Sequence, residues 1–147
     1  MDVNEVSGAI VNAAMKVHSA VGPGLLESAY EACLLHELRQ LGLKVEAQVT
    51  LPTAHGGVKT TPELSLEVDW ESLSIVQEPL LIDVGPKVDL LVEDAVIVEL
   101  KAVKTLLPIH EAQLLSYLKL SGKQVGLLIN FNVPHLKDGI KRMVNKL

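Results

Sequence analysis

The chain has 147 residues, of which 48% are hydrophobic and 21% charged, and its formal charge is −5. This length allows one hydrophobic core and excludes two. Because only 3% of the residues are aromatic, the core must be aliphatic, and no ring-stacking platform for single-stranded bases is evident.

The charges are distributed unevenly. Residues 1–86 carry 4 basic and 12 acidic side chains, whereas residues 87–147 carry 9 basic and 6 acidic ones. The C-terminal part could therefore face a polyanion, although scattered solvated lysines would give the same count.

The acidic N-terminus is followed by no uninterrupted apolar stretch, so we expect neither a secretory signal nor a membrane span. We therefore expect a cytoplasmic location. Cys33, among apolar neighbours, is typical of a small buried hydrophobic side chain.

The first 52 residues predict two helices and a strand. Apolar spacing of three and four predicts a first helix over residues 3–20 and a second over about residues 25–41, followed by Gly42 as a cap. Alternation then predicts a half-buried strand that ends at Pro52. The second helix is expected to bury Leu26, Tyr30, Cys33, Leu34, Leu38 and Leu41. The buried face of the strand is expected to carry Val45, Ala47, Val49 and Leu51.

Residues 53–86 are interpreted as an added hairpin. Residues 64–68 and 80–82 resemble short strands separated by polar and proline-containing stretches. Residues 60–86 contain six acids and no Lys or Arg. We therefore expect an acidic excursion from the main sheet.

The C-terminal part predicts a hairpin, a helix, a strand and a last helix. Two β-rich runs, 87–92 and 96–103, are joined by three residues. A helix is expected from Pro108 to about Leu120 with Gly122 after its end, and then a strand over residues 125–131 that is covered on both faces. The last segment, residues 133–146, predicts a basic amphipathic helix. Its inward residues would be Leu136, Ile140 and Met143.

Three charged residues stand out in the hairpin. Since strands have a period of two, Glu99 and Lys101 share one face. A three-residue loop over 93–95 would place Asp89 directly across from Glu99, with Cβ atoms about 4.5–5.5 Å apart. Two carboxylates this close, within runs of Val, Leu and Ile, would repel each other and lose hydration unless a cation lay between them. Mg²⁺ or Mn²⁺ suits such a site.

Lys101 could then assist an attacking water or stabilise charge on a phosphate, which outlines a phosphodiester-hydrolysis site. Two alternatives remain open. Glu99 and Lys101 could lie on a solvent-facing strand surface. A two-residue loop would shift the register by one residue, and the substitute acid, Asp83, lies too far back for this hairpin.

The pattern of Asp89 followed by Glu99-Leu100-Lys101 resembles the signature of the PD-(D/E)XK nuclease superfamily. Residues 24–30, Gly-Leu-Leu-Glu-Ser-Ala-Tyr, look like the G-x-x-E-x-x-Y motif of a small bacterial family assigned to that superfamily. The resemblance extends over most of the chain apart from the acidic excursion. Further blocks that look like that family are residues 98–103, 110–118 and 126–132.

The resemblance implies an α/β fold with a restriction-endonuclease-like αβββαβ core, in which helices flank a mixed sheet. An extra N-terminal helix and a variable insertion at about residues 53–86 would complete a single domain over residues 1–147. It also implies that Glu27 adds an acidic group to the metal site. Gln113 and Tyr117, spaced like the Gln-x-x-x-Tyr element of RecB-like nucleases, would face the substrate. Positions four apart do share a helix face.

Simpler structural roles also fit some of these residues. Glu27 could merely stabilise the N-terminus of its helix, and Tyr117 could belong to the core. His110, near the end of the hairpin, could touch phosphate. In the family that the chain resembles, the segment between the first strand and the catalytic Asp is shorter and more basic than the acidic excursion of this chain. An acidic segment beside the site would repel a nucleic acid.

The first hypothesis is a Mg²⁺- or Mn²⁺-dependent nuclease that acts on DNA rather than RNA. In this hypothesis Asp89, Glu99 and Glu27 hold the metal, and Lys101 assists the water. The second hypothesis is a catalytically inactive nuclease-fold module that binds nucleic acid or docks a regulatory protein partner. A homodimer is compatible with both hypotheses. A third is an enzyme of other phosphate chemistry on the same fold.

Overall fold

A five-stranded mixed sheet lies at the centre of the computed structural model, which describes residues 1–51, 61–69, 74–82 and 85–146. The helices are α1 (Val3–Val21), α2 (Glu27–Gln40) and α3 (Pro108–Ser121). The strands are β1 (Val45–Thr50), β2 (Thr61–Asp69), β3 (Ser74–Ile82), β4 (Lys87–Val92), β5 (Val96–Lys101), β6 (Val125–Asn130) and β7 (Ile140–Val144).

The strand order of the sheet is β1-β4-β5-β6-β7. Strands β5 and β6 are parallel, and the other neighbouring pairs are antiparallel. A parallel pair needs a crossover connection, and α3 supplies it. The elements α2, β1, β4, β5, α3 and β6 follow one another as the predicted αβββαβ core, with α1 in front, so the fold class is confirmed.

Helices cover both faces of the sheet. Val98 and Leu100 of β5 belong to the apolar cluster formed with α1 and α2, whereas Ile97 belongs to the cluster formed with α3. This is the alternation predicted for the hairpin. Gly126 of β6 allows α3 to come close, because a Cβ at this position would lie 2.8 Å from Cδ1 of Leu114. Burial of each Leu or Ile side chain stabilises the folded state by roughly 1.5–3 kcal/mol relative to an exposed side chain.

Tyr30 fixes the start of α2. Its ring is fully buried and stacks on Phe131 at a centroid distance of 4.4 Å. Its hydroxyl donates to the Gly22 carbonyl at 2.6 Å and accepts from the Leu25 amide at 3.1 Å. These bonds bind the α1–α2 connection to the core, so the first turn of α2 has a defined position.

Strands β2 and β3 form a separate antiparallel pair, which confirms the expected hairpin. Each strand has nine residues and is longer than the sequence pattern indicated. Asp83, the substitute acid for a shifted register, lies outside the described residues. The chain rejoins the sheet at Pro86, whose carbonyl accepts from the Leu51 amide at 2.8 Å.

The predicted last helix over residues 133–146 is wrong. The segment forms a short 3₁₀ turn, Leu136–Gly139, and then β7, which pairs with β6 at the sheet edge. The spacing of Leu136, Ile140 and Met143 fits a helix, but Gly139 interrupts it. A Cβ at Gly139 would collide with the Asn130 carbonyl oxygen, so the glycine lets the turn lie directly on the end of β6.

Some burial predictions also need correction. Leu26 is 77% exposed and Leu41 is 60% exposed, because α2 begins after the first and ends before the second. Ala47 is exposed on the edge strand β1, and Val49 is only half-buried. Cys33 is half-buried and packs against the core cluster of α1 and α2.

No helix in the described part of the chain combines the length and the apolar character that a membrane crossing requires.

Candidate active site

The junction of β4 and β5 brings Asp89 and Glu99 together. The loop has three residues, because Val92 pairs with Val96, and the two-residue alternative is therefore wrong. The regular pairing ends at Leu90 and Val98. Beyond that point the Asp89 amide donates to Glu99 Oε1 at 2.9 Å, and the Leu100 amide donates to Asp89 Oδ2 at 2.7 Å. Carboxylates thus take the place of backbone acceptors where the ladder stops.

These carboxylates open into a cavity of about 270 Å³. Its lining is Glu27, Ser28, Glu31, Gln48, Asp89, Glu99, Leu100 and Lys101. Four predicted site residues, Glu27, Asp89, Glu99 and Lys101, therefore face one space although they come from α2, β4 and β5. The side chains of Glu31, Ser28 and Gln48 are additions that the sequence did not single out.

Glu99 is the most buried acid of the site, with an exposed fraction of 8%. The pKa of Glu99 is raised from 4.5 to about 7, chiefly by burial, then by the charge of Asp89 and least by that of Glu27. The Asp89 amide and Lys101 act in the opposite direction. The positive charge of Lys101 therefore compensates the ionised form of Glu99 only in part.

This donor set fits a divalent cation. Hard cations prefer carboxylate oxygens, and Mg²⁺ is usually held by one or two protein carboxylates together with waters and substrate phosphates. Asp89 and Glu99 provide two such carboxylates, and a cation would relieve the desolvation and repulsion of Glu99. Within the described ranges, no three His, Cys, Asp or Glu side chains form a group that could hold a metal by themselves. Water and phosphate oxygens would have to complete the shell.

Glu27 is the first residue of α2, and its side chain is exposed. It lines the cavity and raises the pKa of Glu99, so it is electrostatically part of the site. It also stands in the first turn of a helix that has no side-chain cap at Leu26, where an acid stabilises the helix dipole. Both roles expected from the sequence fit this position.

Lys101 ends β5 and is anchored at its backbone. Its carbonyl accepts from the Phe131 amide at 2.9 Å, and it pairs with Asn130 on β6. The Asn130 side chain bonds both the amide and the carbonyl of Val103 at 3.1 and 2.9 Å, which fixes the exit from β5. The ammonium group of Lys101 is therefore presented from a rigid strand end.

Tyr117 and Gln113 lie on α3, one turn apart. Tyr117 is half-buried and packs against the cluster under α3. Partial burial raises its pKa above the usual 10, and the charges of Glu99 and Asp89 raise it further, so its hydroxyl experiences the carboxylate pair. Gln113 is exposed and is not part of the cavity lining in the described residues. Tyr117 thus combines the core role with proximity to the site.

His110 has a local structural partner. Its Nδ1 accepts from the Leu107 amide at 3.0 Å, across the first turn of α3. This bond satisfies one of the amides that a helix start leaves without a partner.

The additional lining residues Glu31 and Gln48 differ in how far the sequence alone could have predicted them. Glu31 follows Glu27 by four positions on one helix, so the spacing rule could have found it. Strand alternation places Gln48 on the polar face of β1, but its main chain adopts φ +53°, which is unusual outside glycine. No sequence signal announces that conformation.

A comparison with protein-family models matches residues 4–69 and 63–143 to the PD-(D/E)XK nuclease superfamily. The chain belongs to the PD-(D/E)XK nuclease superfamily. Members of this superfamily generally use divalent metals and act on nucleic acid. No curated protein and no solved structure matches the chain.

Proposed function

We propose that this PD-(D/E)XK protein is a Mg²⁺- or Mn²⁺-dependent nuclease that hydrolyses phosphodiester bonds of DNA rather than RNA. The observation that carries the proposal is the pair of Asp89 and Glu99, each held by a backbone amide of the opposite strand at the edge of a cavity that Lys101 also lines. Two carboxylates held side by side repel each other unless a cation lies between them. One or two carboxylates, completed by water and phosphate oxygens, are the usual protein ligands of Mg²⁺.

Asp89 and Glu99 would hold the metal, with Glu27 as a further acidic group. A metal bound there would supply Lewis acidity toward the phosphate and favour ionisation of water. Lys101 would orient the attacking water or stabilise the negative charge that develops on the phosphate oxygens. Tyr117 and Gln113 would contact the substrate from α3.

Several finer assignments belong to the same proposal. The chain is taken as a single domain over residues 1–147 of the GxxExxY type, acting in the cytoplasm, alone or as a homodimer. Light scattering on the purified protein measures the oligomeric state.

The decisive variant is Lys101→Ala, compared with Lys119→Ala on the exposed surface of α3. We expect the wild type and Lys119→Ala to cleave double- or single-stranded DNA when Mn²⁺ or Mg²⁺ is present. Neither should cleave DNA when a chelator removes the metal. Lys101→Ala should lose cleavage while its circular dichroism spectrum and melting temperature are retained. Unchanged cleavage by Lys101→Ala would show that the proposed mechanism, in which Lys101 assists hydrolysis, is wrong.

A second candidate is a catalytically inactive nuclease-fold module that binds nucleic acid or a regulatory protein. The observation that favours it is the excess of acids in residues 60–86, which contain six acidic residues and no Lys or Arg and would repel a polyanion and attract a basic protein surface. Metal and DNA binding without turnover on any substrate form would support this candidate over the nuclease.

A further inference from the structure

Gln48 connects the first strand to the carboxylates of the candidate site. Its Nε2 donates to Glu31 Oε1 at 2.6 Å and lies 3.4 Å from Asp89 Oδ1. An amide nitrogen carries two hydrogens, so one group can serve both carboxylates. Because a carboxylate only accepts, the amide must turn its nitrogen, and not its oxygen, toward both acids.

The main chain of Gln48 is unusual at this point. Its φ of +53° belongs to the left-handed region, which side chains longer than Asn or Asp rarely adopt. Its neighbours Ala47 and Val49 pair regularly with Leu90 and Val88 on β4, so the deviation is confined to the residue that lies opposite Asp89. Backbone strain of this kind persists where the surroundings determine it, and it concentrates at functional sites.

Asp89 is thereby held at both oxygens. Oδ2 accepts from the Leu100 amide at 2.7 Å, and Oδ1 is contacted by Gln48. Glu31, half-buried on α2, anchors the other hydrogen of the Gln48 amide. The side chains of Glu31, Gln48 and Asp89 therefore form a chain from α2 across β1 to β4.

We infer that Gln48, anchored by Glu31, is a positioning residue that sets the orientation of the Asp89 carboxylate for divalent-metal binding. This inference rests on the proposed function, because it presumes that Asp89 is a metal ligand. Hydrogen-bond partners that orient metal-binding groups typically account for about 10- to 100-fold in metal affinity or activity.

Calorimetric titration of the purified protein with MnCl₂, without DNA, tests the inference. Gln48→Met keeps the side-chain length and the unfavourable φ but removes both donated hydrogens. We expect this variant to bind Mn²⁺ more weakly, with a Kd about tenfold higher than that of the wild type. Gln40→Met, at the exposed end of α2, is the matched control and should bind as the wild type does. Asp89→Asn should abolish binding.

These outcomes separate the two claims. If Asp89→Asn abolishes binding while Gln48→Met stays within twofold of the wild type, the role of Gln48 is wrong and the metal site stands. If Asp89→Asn binds Mn²⁺ as the wild type does, the proposed metal site itself fails.

The anchor is tested from α2, where the Gln48 main chain is untouched and folding is not at risk. Glu31→Ala should weaken Mn²⁺ binding as Gln48→Met does, whereas Glu31→Gln retains an acceptor oxygen and should stay within about threefold of the wild type. The double variant Glu31→Ala/Gln48→Met should be no weaker than either single variant, since both remove one connection. Additive losses, or a Glu31→Gln variant as weak as Glu31→Ala, would show that Glu31 acts independently and would overturn the inference.

Discussion

The main-chain amide of Asp89 donates a 2.9 Å hydrogen bond to Oε1 of Glu99. The Leu100 amide donates in turn to Asp89 Oδ2 at 2.7 Å. Each carboxylate is therefore oriented by the backbone of the opposite strand, and neither depends on a flexible side chain for that contact. Two acids fixed side by side in this way repel each other when both are charged, which lowers the stability of the folded protein.

Glu99 makes the stability of the metal-free protein depend on pH. Its folded pKa of about 7 lies above the unfolded value of 4.5, so its stabilising contribution is complete below pH 4.5 and is lost as the pH rises through about 7. The loss is of order 3 kcal/mol, at about 1.4 kcal/mol for each pKa unit. Glu99→Gln keeps an acceptor for the Asp89 amide but has no charge. In chelator it should therefore be more stable than the wild type at pH 8.

Urea unfolding at pH 5 and pH 8 measures this difference. The stability advantage of Glu99→Gln should grow from the lower to the higher pH, whereas Glu46→Gln, at an exposed position on β1, should show no such growth. An advantage that is equal at both values would mean that Glu99 is not held in its protonated form by the fold.

Divalent metal should stabilise the protein through the same pair. A ligand that binds only the folded state at 100 times its Kd adds about 2.7 kcal/mol. We expect Mn²⁺ to raise the melting temperature of the wild type at pH 8 and to leave Asp89→Asn unaffected. Asp138→Asn, an exposed acid in the 3₁₀ turn, is the control and should respond as the wild type does. A similar rise in Asp89→Asn would locate the bound metal elsewhere.

Tyr117 should affect substrate handling more than folding. Tyr117→Phe retains the ring that packs under α3, so its unfolding free energy should change by less than about 0.5 kcal/mol. Loss of the hydroxyl near Glu99 and Asp89 should raise the KM for DNA several-fold. Gln113→Ala should do the same if α3 faces the substrate, while Gln124→Ala, exposed before β6, should not. Wild-type kinetics in both α3 variants would refute the substrate role.

Substitution by alanine should change stability in opposite directions at Gly139, in the 3₁₀ turn before β7, and at Gly8, in α1. Gly139→Ala places a Cβ against the Asn130 carbonyl oxygen, and we expect a cost of more than about 1 kcal/mol. Gly8 lies inside α1 with open space around it, so Gly8→Ala should stabilise the helix by roughly 0.5–1 kcal/mol. Thermal unfolding of both variants checks this. A neutral Gly139→Ala would contradict the close approach of the 3₁₀ turn to β6.

The sequence predicted the hairpin and its charges well because a period of two and a three-residue loop leave one register. Counting back from Val92 and Val96 was enough to place Asp89 beside Glu99. The prediction of a helix over residues 133–146, where the structure has β7, was wrong for a related reason. Strand β7 is a partly buried edge strand, so its alternation is weak, and Leu136, Ile140 and Met143 imitate a helical face.

The rest of the site depends on features that periodicity cannot encode. The left-handed φ of Gln48 is set by its surroundings in the folded protein, and a polar residue on the exposed face of a strand gives no sign of it. Glu27 and Glu31 could be placed on one helix face, but their position beside β4 depends on how Tyr30 fixes the start of α2.

Anomalous diffraction from crystals soaked in Mn²⁺ at about pH 8 would show directly whether the carboxylate pair binds a metal. We predict a peak between Asp89 and Glu99, within coordination distance of one oxygen of each carboxylate. The contradicting result is a well-ordered crystal with no peak at this pair, or with Mn²⁺ bound only at other residues.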